Sequence, residues 1–537
     1  TDTCLNIITQ LTVELHKDDI SKEKLGTGVL YTNRKLSGVV YVLTAKHCLS
    51  KLGEKGRVSL RIYNPDTSTY EYVTPVKQSI LLHPVDDAGI IIINKRELAS
   101  VVSDLPSVYV VDKNFGTDEA VSKGFPVATL NQTNENGESS LAMIRMTYLH
   151  EDITENVFQL STNDDYSEDT IVGMSGSGIF IEACEELYIN GIFIRYTDEE
   201  RGKVISAQRL ISFNKLLEEE YKKKMSLSFL GHHGLGHKTL KNNVEDSVAN
   251  LGPRYCQKVN VRTGTAKYFH CVAKTPAYFE RLYRNIDSWL TEKSYRTRKD
   301  SNRIGQLESH LKAIRDDFTV ALSNLDQRVD AIIDLSSLMK RVESLQNELE
   351  EVRHRFYSDY SSTKKDDNVR KELEADEARL LEISQDLYSF TENFEDLKIN
   401  LANNPYLIIK GEAGCGKSHL LGDVASKRID DGLPTLLFLG TDFAEETYET
   451  TITSKVGFVG TFREFLSSFN QIGTQVGSRA LLMIDALNEG PQAVLWKDRL
   501  SGLIKSLKDY PAIGLVVSVR DTYFDDVYQF VPFERGE

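Results

Sequence analysis

Cysteine is scarce in this sequence. Six (Cys4, Cys48, Cys184, Cys256, Cys271 and Cys415) are scattered over 537 positions, without the close spacing of a zinc site or of a disulfide-stapled secreted domain. That excludes a disulfide framework and suits reduced thiols in the cytoplasm. Long apolar runs are missing too: none approaches the roughly 18 residues of a membrane span, and the start, TDTCLNIITQ, has no basic region followed by an apolar core. A soluble, intracellular protein with no membrane role is therefore expected. Positive charge is in deficit, with 64 Lys and Arg against 79 Asp and Glu and a formal net charge of −15. Such a balance argues against a chain built mainly to neutralise nucleic-acid phosphates.

What is present suffices for several cores and a multidomain chain. Residues 1–215 carry short β-branched and aromatic runs divided by turn signals, such as GVVYVLTA, AGIIIIN and LYINGIFIRY, the pattern of an all-β sandwich or barrel. Residues 216–300 read as a connector that includes the glycine- and histidine-rich LGHHGLGHKTL. His232, His233 and His237 there are the types that bind metal, but no paired cysteine lies near, and the spacing is that of a plain loop. Over 301–400 apolar residues recur every three or four positions in three runs. The first comprises Leu307, Leu311, Ile314, Phe318, Leu322, Leu325, Val329 and Ile332, and the polar break SSTKKDDN precedes the third. One apolar stripe per helix with a polar break predicts an antiparallel helical hairpin or bundle. From 401 to 537 buried strands alternate with amphipathic helices, which predicts a parallel α/β sheet. This last unit reads as truncated, because nothing closes it before FERGE.

Two constellations carry chemistry. VLTAKHCLS puts His47 at the end of an apolar strand, HPVDDAGIIII puts an acid just before another, and GMSGSGIF puts Ser175 in a small-residue turn. A hydroxyl, an imidazole to take its proton and a carboxylate to fix the imidazole tautomer are what nucleophilic serine catalysis requires. The second is GEAGCGKS, residues 411–418, between the strand YLIIK and the helix SHLLGDVA. In that context backbone N–H groups and a helix N-terminus face phosphates, with Lys417 reaching the β- and γ-phosphates and Ser418 a Mg²⁺ ion. Downstream, LLMIDALNE offers Asp485 for the metal and Glu489 as a water-orienting base, and LVVSVR ends on Arg520, placed to report on the γ-phosphate or merely exposed at a strand end.

The first three motifs, in the order His, Asp, Ser, resemble those of trypsin-like serine proteases. The resemblance covers most of residues 1–215 and implies a double β-barrel, with His47 as general base and Ser175 as nucleophile. The Gly173 and Ser175 N–H groups would form the oxyanion hole. Asp87 fits the family's spacing for the acid, and Asp86 remains an alternative. Met174 stands where many secreted members have the aspartate that pairs with a newly cut N-terminus, which excludes that activation mechanism. Asp169 has the offset from Ser175 of an acid selecting Arg or Lys before the cut.

GEAGCGKS, IDALNE and VVSVR behind a helical linker and an N-terminal effector resemble STAND ATPases of the NACHT-like branch, and most closely the bacterial antiviral STAND group. The segment 250–261, NLGPRYCQKVNV, is similar to the stretch those proteins place before the linker. The resemblance implies an ATP- and Mg²⁺-dependent P-loop NTPase with Gly411, Gly414, Gly416, Lys417, Ser418, Asp485 and Arg520 at the nucleotide and Glu489 in hydrolysis. It further implies an invader (phage) protein recognised by a C-terminal region not included here, homo-oligomerisation, and activation of the serine endopeptidase on a protein substrate. Asn488 stands where many NACHT members have an acid. The alternatives are an ATP-driven quality-control protease and an adaptor with an inactive protease fold.

Overall fold

A computed structural model describes residues 2–19, 22–32, 38–52, 56–102, 104–112, 119–126, 140–152, 156–162, 171–199, 202–221, 225, 227–256, 266–290, 302–362, 367–395, 397–443, 447–490 and 496–528. It forms two compact units, one built mainly from residues 1–242 and the other mainly from 243–537. The expected connector is divided between them and contains the helices His237–Leu251, Ala266–Ala273 and Pro276–Leu290.

The first unit is β-rich. One sheet runs β5 (Thr69–Val73), β4 (Val58–Asn64), β1 (Thr12–Lys17), β2 (Lys24–Tyr31), β3 (Val39–Thr44), β7 (Gly89–Asn94), β6 (Gln78–Leu82), antiparallel throughout. The other joins β9 (Glu119–Gly124), β10 (Ala142–Asp152), β11 (Val157–Ser161), β14 (Gly202–Arg209), β13 (Glu186–Glu199) and β12 (Gly178–Ala183), and the short β8 (Tyr109–Val110) adds to β13. Because β12 pairs with both β13 and β9, these six strands close into a barrel. Closure removes unpaired edges.

The sequence predicts two barrels, whereas the first sheet has no such ring pairing among the described residues. Its end strands are short and partly exposed. Across the gap, the Gln78 side-chain amide at the start of β6 takes the Val58 N–H at 2.9 Å and donates to the Val58 carbonyl at 3.1 Å. A side chain thus performs the pairing that a strand would otherwise make.

The second unit has a helical part and an α/β part. Helices Pro276–Leu290, Asn302–Ser323, Ser336–Ser362 and Asp367–Glu395 bury one core that includes Leu307, Phe318, Val342, Leu387 and Phe390. The helix Asn302–Ser323, which carries the first predicted stripe, ends at Ser323, so the apolar period is lost there. Ile332, part of the predicted stripe, is 77% exposed, and Ile333 is buried instead. A change from helix to irregular chain rotates which neighbour faces the core. The α/β part is a parallel sheet ordered β15 (Tyr406–Gly411), β18 (Ile513–Arg520), β17 (Ala480–Asp485), β16 (Thr435–Leu439). All six residues of β17, ALLMID, are buried, as a strand covered on both faces requires. Edge strand β16 is capped by side chains of helix His237–Leu251: Asn243 accepts the Leu437 N–H at 2.9 Å and Ser247 donates to the Leu437 carbonyl at 2.5 Å. No helix among the described residues is long and apolar enough to cross a membrane.

Candidate active sites

Strands β3 and β7 are antiparallel neighbours with Thr44 opposite Gly89. His47, in the single helical turn Lys46–Leu49 after β3, and Asp87, just before β7, therefore emerge together. Asp87 grips His47 at two points: Oδ2 takes the ring Nδ1–H at 2.7 Å and Oδ1 the backbone N–H at 2.9 Å. The His47 side chain stays 49% exposed. The hydrogen bond to Asp87, and after it Cys48, outweigh burial and push the imidazole pKa up to about 10. Burial pulls Asp87 upward, but the ring and backbone hydrogen bonds from His47 outweigh it and hold the carboxyl below its ordinary value. Asp86 faces elsewhere: its Oδ2 takes Ser212 Oγ–H at 2.6 Å and Asn156 Nδ2–H at 3.2 Å.

Ser175 lies in a turn whose conformation only glycine tolerates at two points, Gly173 (φ +103°) and Gly176 (φ +91°). A Cβ on Gly176 would fall 1.9 Å from the Thr27 carbonyl oxygen. The turn is pinned from both sheets. Thr27 N–H donates to the Ser175 carbonyl at 2.9 Å, Thr27 Oγ1–H to the Gly173 carbonyl at 2.9 Å, and Gly176 N–H to the Phe193 carbonyl at 2.8 Å. Cys48 packs beneath it, with Sγ 3.4 Å from the Ser175 carbonyl. Among the described residues, the Gly173 and Ser175 N–H groups have no acceptor.

The Ser175 hydroxyl donates to the Ile194 carbonyl at 3.3 Å rather than to His47. That carbonyl is available because β13 bulges there: Phe193 pairs with Ala207 and Arg195 with Ser206, leaving Ile194 over. Beyond Ile192, β13 pairs with β14 on one side and has no strand on the other among the described residues, so an edge lies open beside the serine turn. Met174 is buried in the barrel core. Asp169 lies outside the described residues.

In the second unit, β15 leads through Glu412–Gly416 into helix Lys417–Asp430, with Gly414 and Gly416 at φ +80° and +95°. Lys417 Nζ donates to the Gly411 carbonyl at 2.6 Å and the Glu412 carbonyl at 2.8 Å, so the ammonium lies inside the curl of the loop. A cleft of about 670 Å³ opens beside it, lined among others by Gly414, Lys417, Ser418, Asp485, Glu489 and Arg520. That volume is in the range of small-molecule and cofactor sites. Asp485, 1% exposed at the end of β17, accepts Ser518 Oγ–H through Oδ1 at 2.5 Å, while its buried Oδ2 has no hydrogen-bond partner. A buried carboxylate oxygen left over is costly unless a cation meets it. Ser418 lines the same cleft, so the oxygen donors present there fit a hard cation. Glu489 is held by two arginines, through Oε2 by Arg254 Nη1 at 2.6 Å and through Oε1 by Arg520 Nη2 at 3.1 Å.

No protein-family model matches the chain, and no curated protein matches it significantly. The geometry must carry the reading. It brings His47 to Asp87 and gathers the loop, Asp485, Glu489 and Arg520 around one cleft. It does not join Ser175 to His47 by a hydrogen bond.

Sequence reasoning missed Ser518, whose hydroxyl also accepts the Ala486 N–H at 2.7 Å and so positions Asp485. It lies within the quoted LVVSVR, and strand alternation with Arg520 was the available signal. Arg254 was missed as well. It lies within NLGPRYC, where nothing in the local pattern marks it, and residues 257–261 of the segment 250–261 lie outside the described part. His237 is buried and stacked on Phe229 and Tyr109 at ring distances of 3.9 and 4.1 Å, and no group of three or more metal-ligating side chains occurs among the described residues.

Proposed function

We propose that the chain couples a trypsin-like serine endopeptidase to a STAND-type P-loop ATPase, as part of an ATP-dependent antiviral sensor. In this reading the closed barrel and its companion sheet are the two β-halves of the protease, and the parallel sheet is the nucleotide domain. The two-point Asp87–His47 contact beside a serine turn locked by Gly173 and Gly176 carries the protease assignment.

For peptide hydrolysis, neutral His47 would take the Ser175 proton as Oγ attacks the scissile carbonyl, with the Gly173 and Ser175 N–H groups receiving the oxyanion; His47 would pass that proton to the leaving amine as the C–N bond breaks, and water would then hydrolyse the acyl-enzyme and restore the Ser175 hydroxyl. An extended substrate would pair with the open edge at Ile194–Tyr196. The Ser175 hydroxyl must first leave the Ile194 carbonyl and His47 must be unprotonated. The present arrangement, with a raised imidazole pKa and the hydroxyl turned away, fits a resting protease.

For the nucleotide, Lys417 and the loop N–H groups would hold the phosphates, Ser418 and Asp485 a Mg²⁺ ion, and Glu489 would orient water. The bound ion would neutralise charge on the phosphates. A switch uses nucleotide binding to favour an assembled state, whatever the turnover.

Labelling with a serine-directed fluorophosphonate tests the protease half. Modification lost in Ser175→Ala supports it, and an unlabelled wild-type chain at every pH favours the inactive adaptor. Glu489→Gln tests the ATPase half: retained ATP-dependent proteolysis supports the switch, whereas its loss together with hydrolysis favours an ATP-driven protease.

A further inference from the structure

The turn Gly252–Arg254 lies far in sequence from the phosphate-loop segment, yet it is built against it. Tyr255, which follows, sets its ring edge-on to His419 in the first turn after Lys417 at 5.2 Å, and lies so close to Gly422 that a Cβ there would be 3.0 Å from Tyr255 Cδ2. Arg254 is thereby delivered to the rim of the cleft. Across the cleft, Arg520 is placed by its own N–H, which donates to Asn488 Oδ1 at 3.0 Å. Both guanidinium groups converge on Glu489, each on a different oxygen, so the carboxylate is occupied on both sides. Their side chains are 48% and 45% exposed. Arg254, Arg520 and Lys417 line this cleft together with two acidic residues, Asp485 and Glu489.

We propose that Arg254 and Arg520 form a phosphate-responsive clamp: they hold Glu489 when no terminal phosphate is present, and a nucleoside triphosphate draws them off it. The inference rests on the reading that the cleft binds nucleotide. A terminal phosphate offers three charged oxygens to planar guanidinium forks and outcompetes a single carboxylate for them. Once both arginines have moved, Glu489 is released toward the cleft. A diphosphate lacks the competing group and leaves the clamp closed. Arg254 is thus a positioning residue that makes the site distinguish triphosphate from diphosphate.

The test is equilibrium binding of fluorescent ADP and of a fluorescent non-hydrolysable ATP analogue, with Mg²⁺, to the whole chain. In Arg254→Ala the analogue should bind about tenfold more weakly, the scale of one charge-assisted contact, with ADP changed much less. Glu489→Gln, which frees both arginines, should tighten the analogue, and that gain should shrink in the Arg254→Ala background, a non-additivity that marks a shared interaction. Arg254→Lys, which keeps charge without the fork, should fall between. Should Arg254→Ala fail to fold, Arg254→Lys and Glu489→Gln carry the same comparison. Equal losses for both nucleotides, or additive effects, overturn the clamp while leaving the nucleotide site standing. A wild-type chain that binds neither nucleotide overturns the nucleotide reading, and the clamp with it.

Discussion

Single atoms set the state of the serine site. His47 is held above the ordinary imidazole range and Asp87 below the carboxylate range, so the pair is ionic at neutral pH. The free-base form of His47 appears only as pH rises toward its raised pKa, so kcat/KM for peptide hydrolysis should climb through the alkaline range. Asp87→Asn removes the anion that raises that pKa. It should move the rising limb down toward the ordinary value of about 6.5 and cut the maximal rate by about 10⁴ through loss of the correct tautomer. Asp86→Asn should leave the limb in place, because Asp86 bonds Ser212 and Asn156 instead. A pH–rate series on the two variants checks this, and the reverse ranking would move the acid to Asp86. Gly176→Ala should abolish fluorophosphonate labelling of Ser175, because its Cβ meets the Thr27 carbonyl oxygen at 1.9 Å and its φ is positive.

Among the elements, Arg479 is the joint of the second unit. It is 2% exposed at the foot of β17 and donates to four carbonyls from four segments: Ala402 at 2.6 Å, Pro511 at 2.7 Å, Val272 at 3.0 Å and Val329 at 3.2 Å. Val272 and Ala402 lie in the last turns of helices Ala266–Ala273 and Ile399–Asn403, where a cation is favoured by the helix dipole. Burial lowers the Arg479 pKa to about 10, still far above neutrality, so the charge persists. Arg479→Met would strand those carbonyls and should cost roughly 3 kcal/mol or more, read as a lower denaturation midpoint of the second unit. No periodicity announces such a residue. Arg479 reads as an ordinary charged start to a strand, just as Ile332 reads as part of an apolar stripe although the helix has already ended.

The whole molecule carries its two constellations in separate compact units. Lys417→Ala should therefore abolish ATP binding, measured with a fluorescent analogue, while leaving the fluorophosphonate labelling of Ser175 in nucleotide-free protein unchanged. The sequence by itself determined whatever is local in the chain: the β-rich first part, the helical stripes, the strand–loop–helix around GEAGCGKS and the candidates His47, Ser175, Lys417 and Asp485. Those features depend on a few consecutive residues, whose spacing already dictates backbone conformation and exposure. Spacing already favoured Asp87 over Asp86 and the fold pairs Asp87 with His47; tertiary structure alone decided that the Ser175 hydroxyl turns to a bulged Ile194, and that one barrel closes by a strand where the neighbouring sheet uses Gln78. It also decided that Arg254 reaches Glu489 across 235 positions of sequence. Such contacts depend on strand register, bulges and the order in which distant segments stack, and no short window of sequence contains that information.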